Sequence, residues 1–384
     1  MRIAFKVLEG VSSTPSLALI AFLSAAALAV FAPGSDAEDA PNAIESHPVL
    51  RQEVTSDTAV WNGVVATDGA IYLAGPRWAG NTDAALVRVQ DGKHEPFPDA
   101  QWNAWKPGNE AGTQFVNINA IRLGPDGALW VVDSGSPHFG GDPLPDGAKL
   151  VQFDLVTGTA NAVFPFAPEI ARPGSYIDDV RFHGRNAYLT DAGNAGLIVL
   201  DLDTGKARRV LDAHPSLTAR DDRPIVVDGK PLLGLDGKPL KVHADPFELT
   251  LGGDRLLIAP LAGPWSQIPT ALLDNPAIAN DVLSAAVEPF SDLPPTGGTA
   301  MDAGGNLYFS DLATDAIKVR DPDGQIKTIV QDPRLHWVDA MFIDASGNLW
   351  MPAAQIDRAP LFQSGVSHVN RPVEIISFAL QADE

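Results

Sequence analysis

Two carboxylates stand side by side in YIDDVRF, residues 176–182. Adjacent like charges cost stability unless water, a cation or hydrogen-bond donors absorb them, so Asp178 and Asp179 belong either to a solvated turn or to a site. The same template recurs with the acid varied, placing Asn62, Asn119, Asp178, Asp245, Gly297 and Asp339 at equivalent positions, separated by 57, 59, 67, 52 and 42 residues. Brought together, they would offer three carboxylates, two amide oxygens and one bare backbone. Ca²⁺ takes roughly six to eight such hard oxygens at about 2.3–2.6 Å. With no cysteine and no clustered histidines, a zinc or copper site has little to use. At any single position, Asn or Asp could instead cap a strand entrance through a local backbone N–H. Polar side chains at five of the six positions are what point to a ligand-binding ring.

The elements that would position these residues are short strands. After each template residue, side chains that are apolar in all but one case recur every second place: Val64, Ile121, Val180, Phe247, the exception Thr299, and Met341, then Ala66, Leu123, Phe182, Leu249, Met301 and Ile343. A Gly- or Asn-containing turn and an apolar, often aromatic, strand follow, as in GPDGALWVVD and ASGNLWMPA. A period of two marks strands, and repetition every 40 to 60 residues or so is the form of a β-propeller, whose blades cannot bury their faces alone. Six copies predict an all-β, six-bladed β-propeller. Its innermost strands converge on an axis, so the template residues would form a ring, with Asp178 facing it and Asp179 turned away towards loop donors. VEIISFAL, residues 373–380, is too apolar for a free tail and is expected to close the ring with residues near the N-terminus.

Flanking the template are Trp61 and Trp337, candidates for walling a pocket around a ring-shaped or cationic ligand, although packing between blades explains them as well. His336, three residues before Asp339, is a candidate acid or base at the rim, against the alternative of a packed, hydrogen-bonded imidazole. The candidate assignment is thus Asn62, Asp178 and Asp245 for a metal, Asp245 as catalytic base, and Asn119, Asp339, Trp61, Trp337 and His336 for a ligand. No nucleophile elbow, Walker or dinucleotide motif occurs.

The chain has 384 residues, with 48 acidic against 27 basic side chains and a formal net charge of -21, which disfavours nucleic acid and anionic membranes as partners. Residues 1–37 read as an export signal: Arg2 and Lys6 precede the apolar run LALIAFLSAAALAVFA, and Ser35 and Ala37 suit cleavage. An uncleaved anchor is the alternative. After cleavage no membrane association is expected, and residues 38–384 form one domain in the periplasm or outside the cell. One insertion breaks the repeat. RDDRPIVVDGKPLLGLDGKPLKVH, residues 220–243, carries two Asp-Gly turns and is expected to project as a hairpin, either as decoration or as a flap beside the site. A connection from Asn275 could hold a short helix.

Three stretches, YIDDVRFHGRNAYLTDAGNAGLIVLDLDTG, HADPFELTLGGDRLLIAPLAG and NLYFSDLATDAIKVRDPDGQIKTIVQDPRLHWVDAMF, resemble the major royal jelly protein and Yellow family, as does PFPDAQWNAW after the first blade. The resemblance implies a secreted six-bladed propeller, in a family whose members include amine-binding and pigment-pathway proteins. Broader relatives are the gluconolactonases and senescence marker proteins, calcium-dependent lactone hydrolases with Glu in blade one, Asn in blades two and three and Asp in blade four. The corresponding residues here are Asn62, Asn119, Asp178 and Asp245, so the charge of the set is kept but moved from blade one to blade three. Two function classes follow: a protein that binds a small molecule, lactone or amine, with a divalent cation at the channel mouth, or a calcium-dependent lactonase.

Overall fold

The computed structural model describes residues 48–380. The expected signal segment, residues 1–37, lies outside them. Six four-stranded antiparallel sheets follow one another along the chain. Blade one comprises Gly63–Ala66, Ile71–Ala74, Leu86–Gln90 and Lys93–Pro96, and blade two Ile118–Leu123, Leu129–Asp133, Lys149–Phe153 and Ala160–Pro165. Blade three runs through Ile177–His183, Asn186–Asp191, Gly196–Asp201 and Lys206–Val210; blade four through Ala244–Leu249, Arg255–Pro260, Trp265–Pro269 and Glu288–Ser291. Thr299–Met301, Leu307–Asp311, Ala316–Arg320 and Ile326–Gln331 make blade five. In blade six, Phe342–Ile343, Asn348–Pro352 and Val373–Ala379 are completed by Arg51–Ser56 from the other end of the chain. That last pairing aligns Arg51 with Ser377 and Ser56 with Val373, so the ring is closed by strands from both ends.

Local chemistry explains the repeated turn. Asp344 accepts from the Ser346 and Asn348 amides at 2.9 Å, and from the Trp350 indole at 2.8 Å. Asp302 does the same for Gly304, Asn306 and the Tyr308 hydroxyl. The aromatic residue after each such turn therefore has a polar anchor as well as a buried ring.

Apolar side chains fill the seams between blades. Trp130, Val132 and Leu150 of blade two meet Val180, Leu189 and Ile198 of blade three. Val199, Val210, Phe247 and Ile258 fill the next seam, and Leu349, Met351, Ile376 and Phe378 pack against Tyr308 and Ile317. A blade alone would expose both of these faces, which is why all six are needed. Two short helices, Thr270–Leu273 and Asn280–Ala285, occupy the outer connection of blade four. No helix among the described residues is long and apolar enough to cross a membrane.

The insertion corrects one expectation. It forms a hairpin through Val226–Val227 and Lys230–Pro231, turning at Asp228 and Gly229, whose φ values of 50° and 72° suit an Asp-Gly turn. Its outer turn, residues 235–239, is exposed, but the rest does not project. Ile225, Val227, Leu232 and Val242 are buried against Tyr176, Leu261, Trp337 and Ile356, which lays the hairpin across one end of the channel.

The channel mouth as a candidate site

All six template residues, Asn62, Asn119, Asp178, Asp245, Gly297 and Asp339, line one cavity partly open to solvent, with about 490 Å³ of free space when its open mouth is counted. Beta-bulges place three of them. The pairing register slips at Asn119 in blade two, at Asp178–Asp179 in blade three and at Asp245–Pro246 in blade four. A bulge adds one residue and re-aims the side chains around it, which is how barrel and propeller rims present functional groups. Gly297 has a different reason. A Cβ there would lie 2.6 Å from the Val338 carbonyl, and one at Gly298 would lie 2.0 Å from that of Asp339. Blade five thus contributes close backbone packing rather than a ligand.

The bulge also corrects the expectation for Asp179. Simple alternation turns it away from the axis, but it lies beside Asp178 beneath the ring, where it binds two guanidiniums. Arg122 Nε donates to Asp179 Oδ1 at 2.9 Å and its Nη2 also reaches the carboxylate, while Arg181 Nη1 donates to Oδ2 at 2.7 Å. Arg181 continues to Glu248 at 2.7 and 3.1 Å and to Thr299 at 3.2 Å, and Arg122 Nη1 donates to the Met341 carbonyl at 2.7 Å. This chain crosses the axis from blade six to blade five. Its two arginines balance Asp179 and Glu248, so it carries no net charge to spare. Burial alone would raise the Asp179 carboxyl, but the two guanidiniums outweigh it and hold it well below the usual carboxylate range.

The ring acids have the opposite electrostatics. Burial, and then the neighbouring carboxylates Asp179 and Asp191, push Asp178 up to about 7, offset in part by its hydrogen bond with Asp245 and by Arg122. Asp245 is raised well above the ordinary value by burial and then by Asp178 and Asp339; Asp339 is raised by burial and then by Asp178. The nearby ion pairs go to Asp179, and no guanidinium or ammonium among the described residues bonds to a ring carboxylate. The amides complete the picture. Asn62 Nδ2 donates to the Asn119 carbonyl at 2.8 Å, which leaves the buried Asn62 Oδ1 with no partner. Asn119 Oδ1 accepts from the Tyr176 hydroxyl at 2.8 Å. An orphaned buried carbonyl beside uncompensated carboxyls fits a hard cation such as Ca²⁺.

Above the ring the cavity is aromatic and aliphatic, with Trp78, Phe139, Tyr176, Trp337 and Phe362 among its walls. Trp337 holds a left-handed backbone, φ 50°, a strained state for a bulky residue and the means by which it reaches the cavity. Trp61 is not there. It packs with Val54, Val64, Leu73 and Ile375 in the seam between blades six and one, its ring 5.6 Å from that of His94. His336 is also absent from the walls. Its Nδ1 meets Asp315 at 2.9 Å and its Nε2 meets Asp357 at 3.0 Å; burial opposes the charge, yet these two carboxylates push the imidazole up to about 9. Asp228, Asp315 and His336 have ligand atoms within 4.8 Å of one another, but an imidazolium that donates through both nitrogens has no lone pair for a metal.

Further positioning groups, not among the candidates above, have a sequence signal of their own. Arg122 and Arg181 each follow a template residue by three places. Asp133 and Asp191 end the aromatic strands of blades two and three. Asp133 accepts from the Val116 and Asn117 amides at 2.8 and 2.9 Å and pairs with buried Lys149 at 2.7 Å; Asp191 accepts from the Tyr176 amide at 2.9 Å and pairs with Arg209 at 2.6 Å. Each of these acids therefore holds the backbone two or three residues ahead of Asn119 or Asp178.

Comparison with solved structures supports the architecture. Similar folds include a putative gluconolactonase (13% identity, covering 86% of this chain and 92% of that chain, TM-score 0.52). A gluconolactonase from Xanthomonas campestris (13%, 85% and 88%, 0.50) and the calcium-binding protein regucalcin from Agrobacterium tumefaciens (11%, 84% and 90%, 0.50) are others. At these identities the likeness carries the fold. No curated protein matches the sequence. A family match does, and it spans residues 121–377, from the inner strand of blade two through the closing strand of blade six; the chain belongs to the major royal jelly protein family.

Proposed function

We propose that this is an exported propeller that binds a small molecule together with a divalent cation, Ca²⁺ by preference, at the channel mouth. The observation that carries the reading is that Asp178, Asp245 and Asp339, without a cationic partner, line the same aromatic cavity as the orphaned Asn62 Oδ1. Asn62, Asp178 and Asp245 would hold the ion, which supplies positive charge and Lewis acidity when bound. Asn119 and Asp339 would meet polar groups of the ligand, and Trp337 and its neighbours the apolar part. An amine could occupy the same floor by pairing with the carboxylates. Calorimetry of the chelated protein with Ca²⁺ should show binding accompanied by proton release, because the raised ring acids must ionise. Asp178→Ala should bind at least about 100-fold more weakly, a loss typical of an uncompensated ligand. Equal affinity in the variant would remove Asp178 from the site.

A second reading, lactone hydrolysis, is favoured by the raised carboxyl of Asp245, because the ionised form of such a group is a stronger proton acceptor than an ordinary carboxylate. Asp245 would accept a proton from the water that attacks the lactone carbonyl; the ring C–O bond then breaks and its oxygen takes up a proton, leaving a hydroxy acid. Asp245→Asn should abolish turnover while the chain stays folded, with a melting temperature in chelator at neutral pH no lower than that of the unmodified protein, because the buried acid it replaces is itself costly there. A panel of sugar and acyl lactones that shows no turnover above background, alongside measurable amine binding, would end the enzyme reading.

A further inference from the structure

We infer that the hairpin of residues 220–243 is the gate of this site, an inference that rests on the mouth being where ligand binds. The channel beneath the ring is crossed by the Arg122–Asp179–Arg181–Glu248 chain, all of it buried or nearly so, which blocks passage from that end. Exchange must therefore occur at the opposite end, where the hairpin lies and where its Leu240 and Val242 form part of the cavity wall beside the ring acids.

Its attachments suit a moving part. Backbone hydrogen bonds within the hairpin join Leu232 to Ile225, Leu240 to Leu232 and Gly234 to Lys238. To the blades, the described backbone bonds are at the root, Leu261 N–H to the Val242 carbonyl and His243 N–H to the Ala192 carbonyl. Arg223 anchors the other root through Asp292 at 2.7 Å and the Ala262 carbonyl at 3.0 Å. Between the two roots the hairpin is held by burial of Ile225, Val227 and Leu232, and at its tip by a long Asp228–Arg358 pair at 3.9 Å. A segment fixed by apolar packing without backbone bonds can lift as one unit while every blade keeps its ladder. Leu240 and Val242 then close over whatever occupies the ring, and a ligand bulkier than the closed cavity holds the gate ajar.

Two measurements test this on the full chain. In hydrogen exchange, the Leu232 and Leu240 amides should exchange together and about 100-fold or more faster than those of Ile177–His183, as expected of a sub-global opening. Protection equal to that strand overturns the gate. In stopped-flow binding of Tb³⁺, read by luminescence sensitised through the cavity tryptophans, the double variant Ile225→Ala/Leu232→Ala loosens the hairpin without touching the cavity wall. Association and dissociation should both accelerate, on the order of tenfold, with their ratio little changed. Unchanged rates in a variant whose hairpin exchanges faster would also overturn the inference. Absence of Tb³⁺ binding to the unmodified chain would instead sink the cation reading of the ring. Hydrogen exchange on that chain decides the gate in either case, including if the double variant does not fold.

Discussion

A chain ending at Arg371 will not accumulate as a soluble, folded protein. Val373, Ile375 and Ile376 are fully buried in the intact structure and Phe378 is 1% exposed. Burying such a side chain is worth roughly 1.5–3 kcal/mol, so losing four removes about 6–12 kcal/mol, comparable with the whole stability of a typical domain at about 5–15 kcal/mol. The loss extends beyond those side chains. Val373–Ala379 is hydrogen-bonded to Asn348–Pro352 on one side and to Arg51–Ser56 on the other, so its removal frees the N-terminal strand and bares an edge of blade six. It also opens the seams that Phe378 fills towards blade five and Ile375 fills towards blade one. An open propeller with a flat unpaired edge is an aggregation template. The check is soluble yield and thermal unfolding of a chain lacking residues 372–384. A soluble product melting at the unchanged temperature would mean that the ring is closed by other strands.

The fold was legible because its signal is repeated: one template, six times, with a period of two and a turn at a fixed place. The ring was legible for the same reason, since equivalent positions in equivalent blades must meet at the axis. What the alternation could not show is where it breaks. A bulge moves one residue without altering composition, so IDDV reads as one residue in and one out, whereas both Asp178 and Asp179 come to the axis. Trp61 and Trp337 look alike beside their ring residues, yet a left-handed turn brings one to the cavity while the other stays in a seam. Nothing in LHWVD distinguishes that turn from extended backbone. His336 was ambiguous because its two partners, Asp315 and Asp357, lie 21 residues away on either side. The hairpin's apolar residues fit a free hairpin as well as a closed one; only the cluster at the mouth, assembled from several blades, shows which face they cover.

Stripped of divalent ions, the protein will lose stability as the pH rises from about 5 to 7, and calcium will restore it. An unfolded aspartate titrates near pH 4, whereas Asp178 in the folded protein is pushed up to about 7. Between those values the folded state holds a proton that the unfolded state has released, so raising the pH favours unfolding. Asp245 and Asp339, also raised by burial and by the neighbouring carboxylates, act in the same direction. A displacement of about three pKa units corresponds to roughly 4 kcal/mol, an upper figure because the ring acids share their protons rather than titrating independently. Asp179 works in the other direction. Its depressed carboxyl contributes stability above the ordinary carboxylate range and loses it only in stronger acid, so the metal-free protein should be most stable in mildly acidic solution. A cation binds the ionised ring of the folded state alone, and its stabilisation adds by mass action where the acids have already lost their protons. Thermal midpoints should therefore fall with rising pH in chelator, and the increment produced by Ca²⁺ should be larger at pH 8 than at pH 5. A midpoint in chelator that stays flat or rises across this range would show that the ring acids are ionised in the folded protein without help. The charge they require would then have to come from a group other than a bound cation, and the proposed metal site would lose its electrostatic basis.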